Sequence, residues 1–207
     1  GDGKGAIALL QEIAKGSPTG HILGQGAAFT GQALGVKRVP VVKNQAMPAY
    51  DPRAVKGIGV TYATNPQGAD HTIGYAVAPE ILSIGGKADP LSPEGKADIS
   101  RNLQIATAVL DSSGYCLFIA FAILDIMDGF LGMVDTINAV LGTKMTPDEI
   151  TAYGVKLLKL EKDFTNRAGI SKYADRIPEF MKLEPLPPHN VVFDVTDAQL
   201  DSVYDKM

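Results

Sequence analysis

Cysteine occurs once in this 207-residue chain, as Cys116, so no disulfide can form within it; that usage fits a reducing, cytoplasmic setting. Tryptophan is absent and aromatic residues make up only 7%, which leaves little material for base-stacking platforms. No run of Lys and Arg occurs and the formal net charge is −4, so neither nucleic acid nor an anionic membrane surface is an expected partner. The longest apolar run, Tyr115–Leu124, is too short to span a bilayer and stops at Asp125. Metal spacings of the HExxH or CxxC type, a Walker loop and a GxSxG elbow are all missing. The first residue is Gly rather than Met and no charged-then-apolar leader follows it, which reads as a boundary inside a longer polypeptide.

Hydrophobic residues at 45% against 20% charged residues describe a packed globular chain. Helical spacing dominates. Ile7, Leu9, Leu10, Ile13 and Ala14 form one stripe closed by Gly16, and Gly20–Gly35 reads as a short helix with Phe29 and Leu34 inward. Val36–Val42 is strand-like, but Pro40 restricts it to an edge. Ala54–Thr64 reads as a helix in which Gly57 and Gly59 are costly unless something packs closely on them. Lys87–Pro93 is a loop, with Ser92 as N-cap of a long helix from Pro93 to Leu110. An apolar helix pair follows, broken at Asp128-Gly129. Thr146-Pro147-Asp148-Glu149 then has the form of a capped start for a helix running to Arg167. On that helix Ile150, Tyr153, Leu157, Leu160 and Phe164 form the apolar stripe, and Lys156, Lys159 and Lys162 the solvated face. The expected class is all-α, in two packed helical subdomains, 1–90 and 91–207.

Chemistry concentrates in Asp111-Ser112-Ser113-Gly114-Tyr115-Cys116. Asp111 is an anionic acceptor for amide-like N–H groups, Gly114 permits φ > 0 or close backbone approach, and Cys116 is the one thiolate available to a metal. Local chemistry leaves two readings open: a ligand-binding loop, or a helix end with a buried structural cysteine. Among the histidines, His21 and His189 read as surface or loop residues. His71 follows the turn Gly68-Ala69-Asp70, where a neutral imidazole is able to act as general acid or base near neutral pH; a plain loop histidine is the alternative.

Several stretches resemble the aldehyde ferredoxin oxidoreductase family. Met47-Pro48-Ala49-Tyr50-Asp51-Pro52-Arg53 through Lys56-Gly57-Ile58-Gly59 is similar to that family's PAYDPR…KGxG stretch. Tyr62-Ala63-Thr64 running on to Gly68 and His71 matches its YAT…G…H stretch, and Asp111, Gly114 and Cys116 match its DxxGxC box. Gly154, Leu160, Phe164, Arg167 and Gly169 then follow its G…L…F…R.G helix. The resemblance runs along essentially the whole chain in order. It implies the two mostly helical C-terminal domains of an enzyme that holds tungsten or molybdenum on two pterins and oxidises aldehydes to carboxylic acids, with ferredoxin as electron acceptor. Carried over, Asp111 contacts the pterin, Gly114, Tyr115 and Leu117 shape the cofactor loop, Cys116 is the fourth ligand of a [4Fe–4S] cluster, and His71 moves protons near the metal.

The other three cluster cysteines belong to a family CxxCxxxC segment that this chain lacks, as it lacks a second pterin-contacting DxxGLD box. The missing N-terminal domain is therefore an implied partner, and a homodimer is a further possibility; the chain on its own is expected to hold no cofactor. An inactive fragment, or a separate subunit that docks on a cofactor-binding partner, stays open beside the enzyme reading. The chain also departs from the family pattern. Ala69-Asp70-His71 replaces GCH, Phe164-Thr165 replaces FN, and Tyr115 stands where Leu or Thr is usual. Asp70 is expected to orient the His71 ring or raise its pKa.

Overall fold

The computed structural model describes residues 1–207, and its ten α-helices leave only two two-residue strands. α1 (Gly3–Lys15), α2 (Pro18–Gly24) and α3 (Ala27–Ala33) lead into the hairpin β1 (Val41–Val42) and β2 (Gln45–Ala46), then α4 (Lys56–Thr64) and α5 (Lys96–Ser113). α6 (Ala120–Asp125), α7 (Met127–Leu141), α8 (Pro147–Arg167), α9 (Glu179–Leu183) and α10 (Asp197–Asp205) complete the order. The all-α class is as read from the pattern.

Helix ends follow local chemistry. Gly16 closes α1 in the left-handed region, and Thr146 with Glu149 forms the capping box of α8. Other expectations need correction. α5 starts at Lys96 behind Gly95, not behind Ser92, because Gly95 takes the left-handed conformation that turns the chain into the helix. The break between α6 and α7 falls at Ile126, before Asp128-Gly129. Phe29 and Leu34 point outward, 48% and 64% exposed, and α1 buries none of its apolar stripe.

α4 is the buried centre of the larger core: every one of its residues is buried. Its two glycines are there for space. A Cβ on Gly59 would stand 2.3 Å from the Phe193 ring, and one on Gly57 2.8 Å from a Glu80 carboxylate oxygen. The Glu80 carboxylate accepts the Gly57 N–H at 3.0 Å and pairs with the equally buried Lys96. Gly59→Ala is therefore expected to cost about 1–3 kcal/mol by overpacking. A denaturant midpoint unchanged from the parent would contradict that.

The core around α4 joins Val55, Ile58, Val60 and Tyr62 to Ile177, Met181, Phe193, Leu200 and Val203, so it draws on both sides of the Lys87–Pro93 loop. A smaller core joins Val109 and Leu110 of α5 to Met133, Val134 and Ile150. On α8 the inward residues are Ile150, Gly154, Leu158 and Lys162, whereas Tyr153, Leu160 and Phe164 are exposed. Gly154 allows this register: a Cβ there would lie 2.6 Å from the Ile105 carbonyl, so α8 seats directly on α5. Lys162, expected in solvent, is buried against Asp175 at 2.5 Å.

Candidate functional site

The Asp111–Cys116 string ends α5 in a defined way. Gly114 is left-handed at φ 79°, its N–H donates to the Asp111 carbonyl, and the Tyr115 N–H donates to the Leu110 carbonyl. This is the Schellman arrangement, in which a glycine just past the helix satisfies the last carbonyls. Gly114 thus consumes the backbone of Asp111 and leaves its carboxylate free. Tyr115 and Leu117 turn half inward onto the smaller core, and Cys116 is left exposed. The buried structural cysteine is excluded. A small maleimide is expected to modify Cys116 in the native chain as fast as in denaturant; labelling that waits for denaturant would contradict this.

The segment carrying His71 is held just as tightly. Asn65 Nδ2 donates to the Thr61 and Gly68 carbonyls at 2.6 Å each, and Asn65 Oδ1 accepts the Gln67 and Gly68 N–H groups. Gly68 lies flat on β1, where a Cβ would be 2.6 Å from the Val42 carbonyl. Asp70 Oδ1 accepts from the N–H and the hydroxyl of Thr72, at 2.5 and 2.6 Å. The carboxylate therefore fixes the turn around His71 and does not reach the imidazole, contrary to the orienting role expected from sequence.

The imidazole meets rings instead. Tyr50 lies 5.4 Å away and Tyr75 5.8 Å away, centroid to centroid, and the two tyrosine hydroxyls share a hydrogen bond of 2.9 Å. Burial, and then the bond to Tyr50, pushes the Tyr75 phenol up to about 12. Phe121 packs edge-on against Tyr75 at 6.0 Å. Neither Tyr50 nor Tyr75 stands out in the sequence as a site residue, although Tyr50 sits inside the PAYDPR stretch.

α5 brings the two regions together. The 3₁₀ turn Thr72–Gly74 rests on it where a Gly74 Cβ would be 2.8 Å from Gln104. Asp111 lies seven residues further on, two turns along the same face and about 10 Å of helix rise away. Asp70, Thr72 and Asp111 consequently line one cleft of about 480 Å³, closed on its far side by Leu160, Glu161 and Phe164 of α8. Burial, with Asp70 opposite, raises the Asp111 pKa; burial and Asp111 raise that of Glu161. The cleft is acidic, open and rich in acceptors. His71 is bracketed by Asp70 and Thr72 but turns to Tyr50 and Tyr75, and neither it nor Cys116 lines the cleft.

No group of three or more His, Cys, Asp and Glu side chains lies close enough to hold a metal ion, so these residues fit a cofactor only as part of a larger donor set. The exposed thiol of Cys116 and the free carboxylate of Asp111 suit that partial role.

A sequence profile described as aldehyde ferredoxin oxidoreductase, domains 2 & 3, matches residues 1–207. Relatives named tungsten-containing aldehyde ferredoxin oxidoreductase match as well. Those of Pyrococcus horikoshii and Pyrococcus abyssi are each 34% identical over 182 residues, and that of Pyrococcus furiosus is 33% identical over 181. Each match takes in 86% of this chain and 29% of the relative, so the chain spans well under half the length of these proteins. No helix is long and apolar enough to cross a membrane.

Proposed function

Because this chain belongs to the aldehyde ferredoxin oxidoreductase family and corresponds to its domains 2 and 3, we propose that it forms the helical part of an enzyme oxidising aldehydes to carboxylic acids. The overall change consumes an aldehyde and water and yields a carboxylic acid, two protons and two electrons, the electrons leaving to ferredoxin. A tungsten or molybdenum bis-pterin, when bound, supplies the carbonyl activation and the two-electron redox chemistry. The rest of the polypeptide completes the cofactor site.

The chain's own residues take three roles. Asp111 accepts hydrogen bonds from the pterin ring, a role open to it because Gly114 has taken up its backbone while its carboxylate stays free. Cys116 gives one thiolate to a [4Fe–4S] cluster whose other three come from outside the chain, as a cubane normally needs four. His71 carries protons between the reacting centre and solvent. Its ring is held among Tyr50 and Tyr75, and the Asp70 turn keeps its backbone still.

One observation carries this reading: the segment bearing His71 and the free carboxylate of Asp111 share one cleft across 40 positions of sequence. Its test is Cys116→Ser in the complete protein. Iron is expected to fall from about four atoms per chain, with loss of the electron paramagnetic resonance signal of the reduced cluster. Unchanged iron and an unchanged spectrum would reject Cys116 as a ligand.

A further inference from the structure

Away from that cleft, nearer the starts of α5 and α8, lies another cavity of about 200 Å³. Ile105 and Val109 of α5, Ile123 of α6, Phe130 and Met133 of α7 and Ile150 of α8 form its walls. No ionisable side chain lines it. Its edge carries two exposed neutral polar residues, Asn102 and Thr151, which leave a way in from solvent.

Helix packing keeps the space from closing. One turn beyond Ile150, Gly154 already presses α8 onto α5, since a Cβ there would stand 2.6 Å from the Ile105 carbonyl and 2.9 Å from Val109. α8 therefore cannot move further inward to fill the gap. An apolar cavity of this kind costs stability when empty. One of about 150 Å³ lined by Leu, Ile and Phe stays dry and takes up benzene. Water gains little here, because it needs two to four polar partners and only the exposed Asn102 and Thr151 bring polar side chains to the lining.

We propose that this cavity is a binding site for a small neutral apolar molecule, one aromatic ring or a short branched alkyl group in size. The walls select by shape and by exclusion of charge: a carboxylate or ammonium carried inside would lose its hydration with no partner in return. The site stands apart from Asp111 and Cys116 and does not depend on how they are used.

The probe is bromobenzene, soaked into crystals of the complete protein and located by bromine anomalous scattering, with 4-bromobenzoate as its charged counterpart. The expected result is a bromine peak between Val109, Met133 and Ile150. Affinity for 4-bromobenzoate should be at least about tenfold weaker. Ala106→Leu and, separately, Thr151→Ile narrow the cavity from two sides. Each is expected to abolish the bromobenzene-dependent rise in melting temperature while leaving the melting temperature without probe equal or higher. Variants that still respond, a charged probe that binds equally well, or a peak only on the exposed residues Val140 and Phe118 would overturn the proposal. So would failure of bromobenzene to enter the complete protein, which would show that another part of the polypeptide fills the space.

Discussion

On the proposed function, His71→Asn in the complete protein is expected to lower kcat by roughly 10²–10⁴-fold, with metal and iron content intact and KM little changed. The magnitude is that of a positioned acid–base group, and the surroundings offer no substitute. Asp70 spends its carboxylate on the Thr72 N–H and hydroxyl. Tyr75, pushed up to about 12, stays protonated and is no base near neutral pH. Histidine is the side chain whose ordinary ionisation falls between pH 5 and 8, and no other stands on this ring face. Asn keeps a polar side chain of similar reach, so the loss isolates proton transfer from packing. A rate within a few-fold of the parent would remove His71 from the chemistry.

The largest effect on stability is expected from Asp175→Ala. Asp175 is 5% exposed and receives both Lys162, at 2.5 Å, and Lys43, at 2.8 Å. Removing it leaves two buried ammonium groups facing one another across the space the carboxylate held. Breaking a buried pair in this way costs about 3–5 kcal/mol. Chemical unfolding should show the loss, and a change within 1 kcal/mol, roughly, would contradict it. The same cluster sets a pH dependence. Desolvation by burial lowers the Lys43 pKa to about 8, although Asp175 opposes the shift. Between about 8 and 10 the unfolded chain then binds more protons at this residue than the folded one, so the Lys43 contribution to stability rises with pH. Above 10 the raised phenols of Tyr62, Tyr75 and Tyr204 act in the opposite sense, because there the folded state holds more protons.

What sequence shows of this molecule is what neighbours along the chain decide. Gly16, Thr146 with Glu149, and the glycines of α4 could be read because a helix end or a close approach leaves its mark within a few residues. The inward face of α8 could not. Its seam is set by Gly154, which contributes nothing to an apolar stripe, and the exposed Leu160 and Phe164 form a cleft wall instead of a core. Lys162 looked solvated because its partner Asp175 lies beyond the helix, in an irregular segment. The candidate site divides the same way. Asp111, Cys116 and His71 stand out as residue types in a motif. The ring cluster of Tyr50, His71 and Tyr75, and the meeting of Asp70 with Asp111, exist only once α5 has brought distant segments together.

On the proposed function, Asp111, Cys116 and the His71 ring cluster are all turned toward the cofactors, although of the three only Asp111 lines the acidic cleft. Anomalous diffraction from crystals of the complete protein, collected at the tungsten and iron absorption edges, tests it most directly. The expected result is a heavy-metal peak near the Tyr50–His71 ring pair and an iron peak bonded to the Cys116 Sγ. Metal peaks on a face that none of these residues reaches would contradict it.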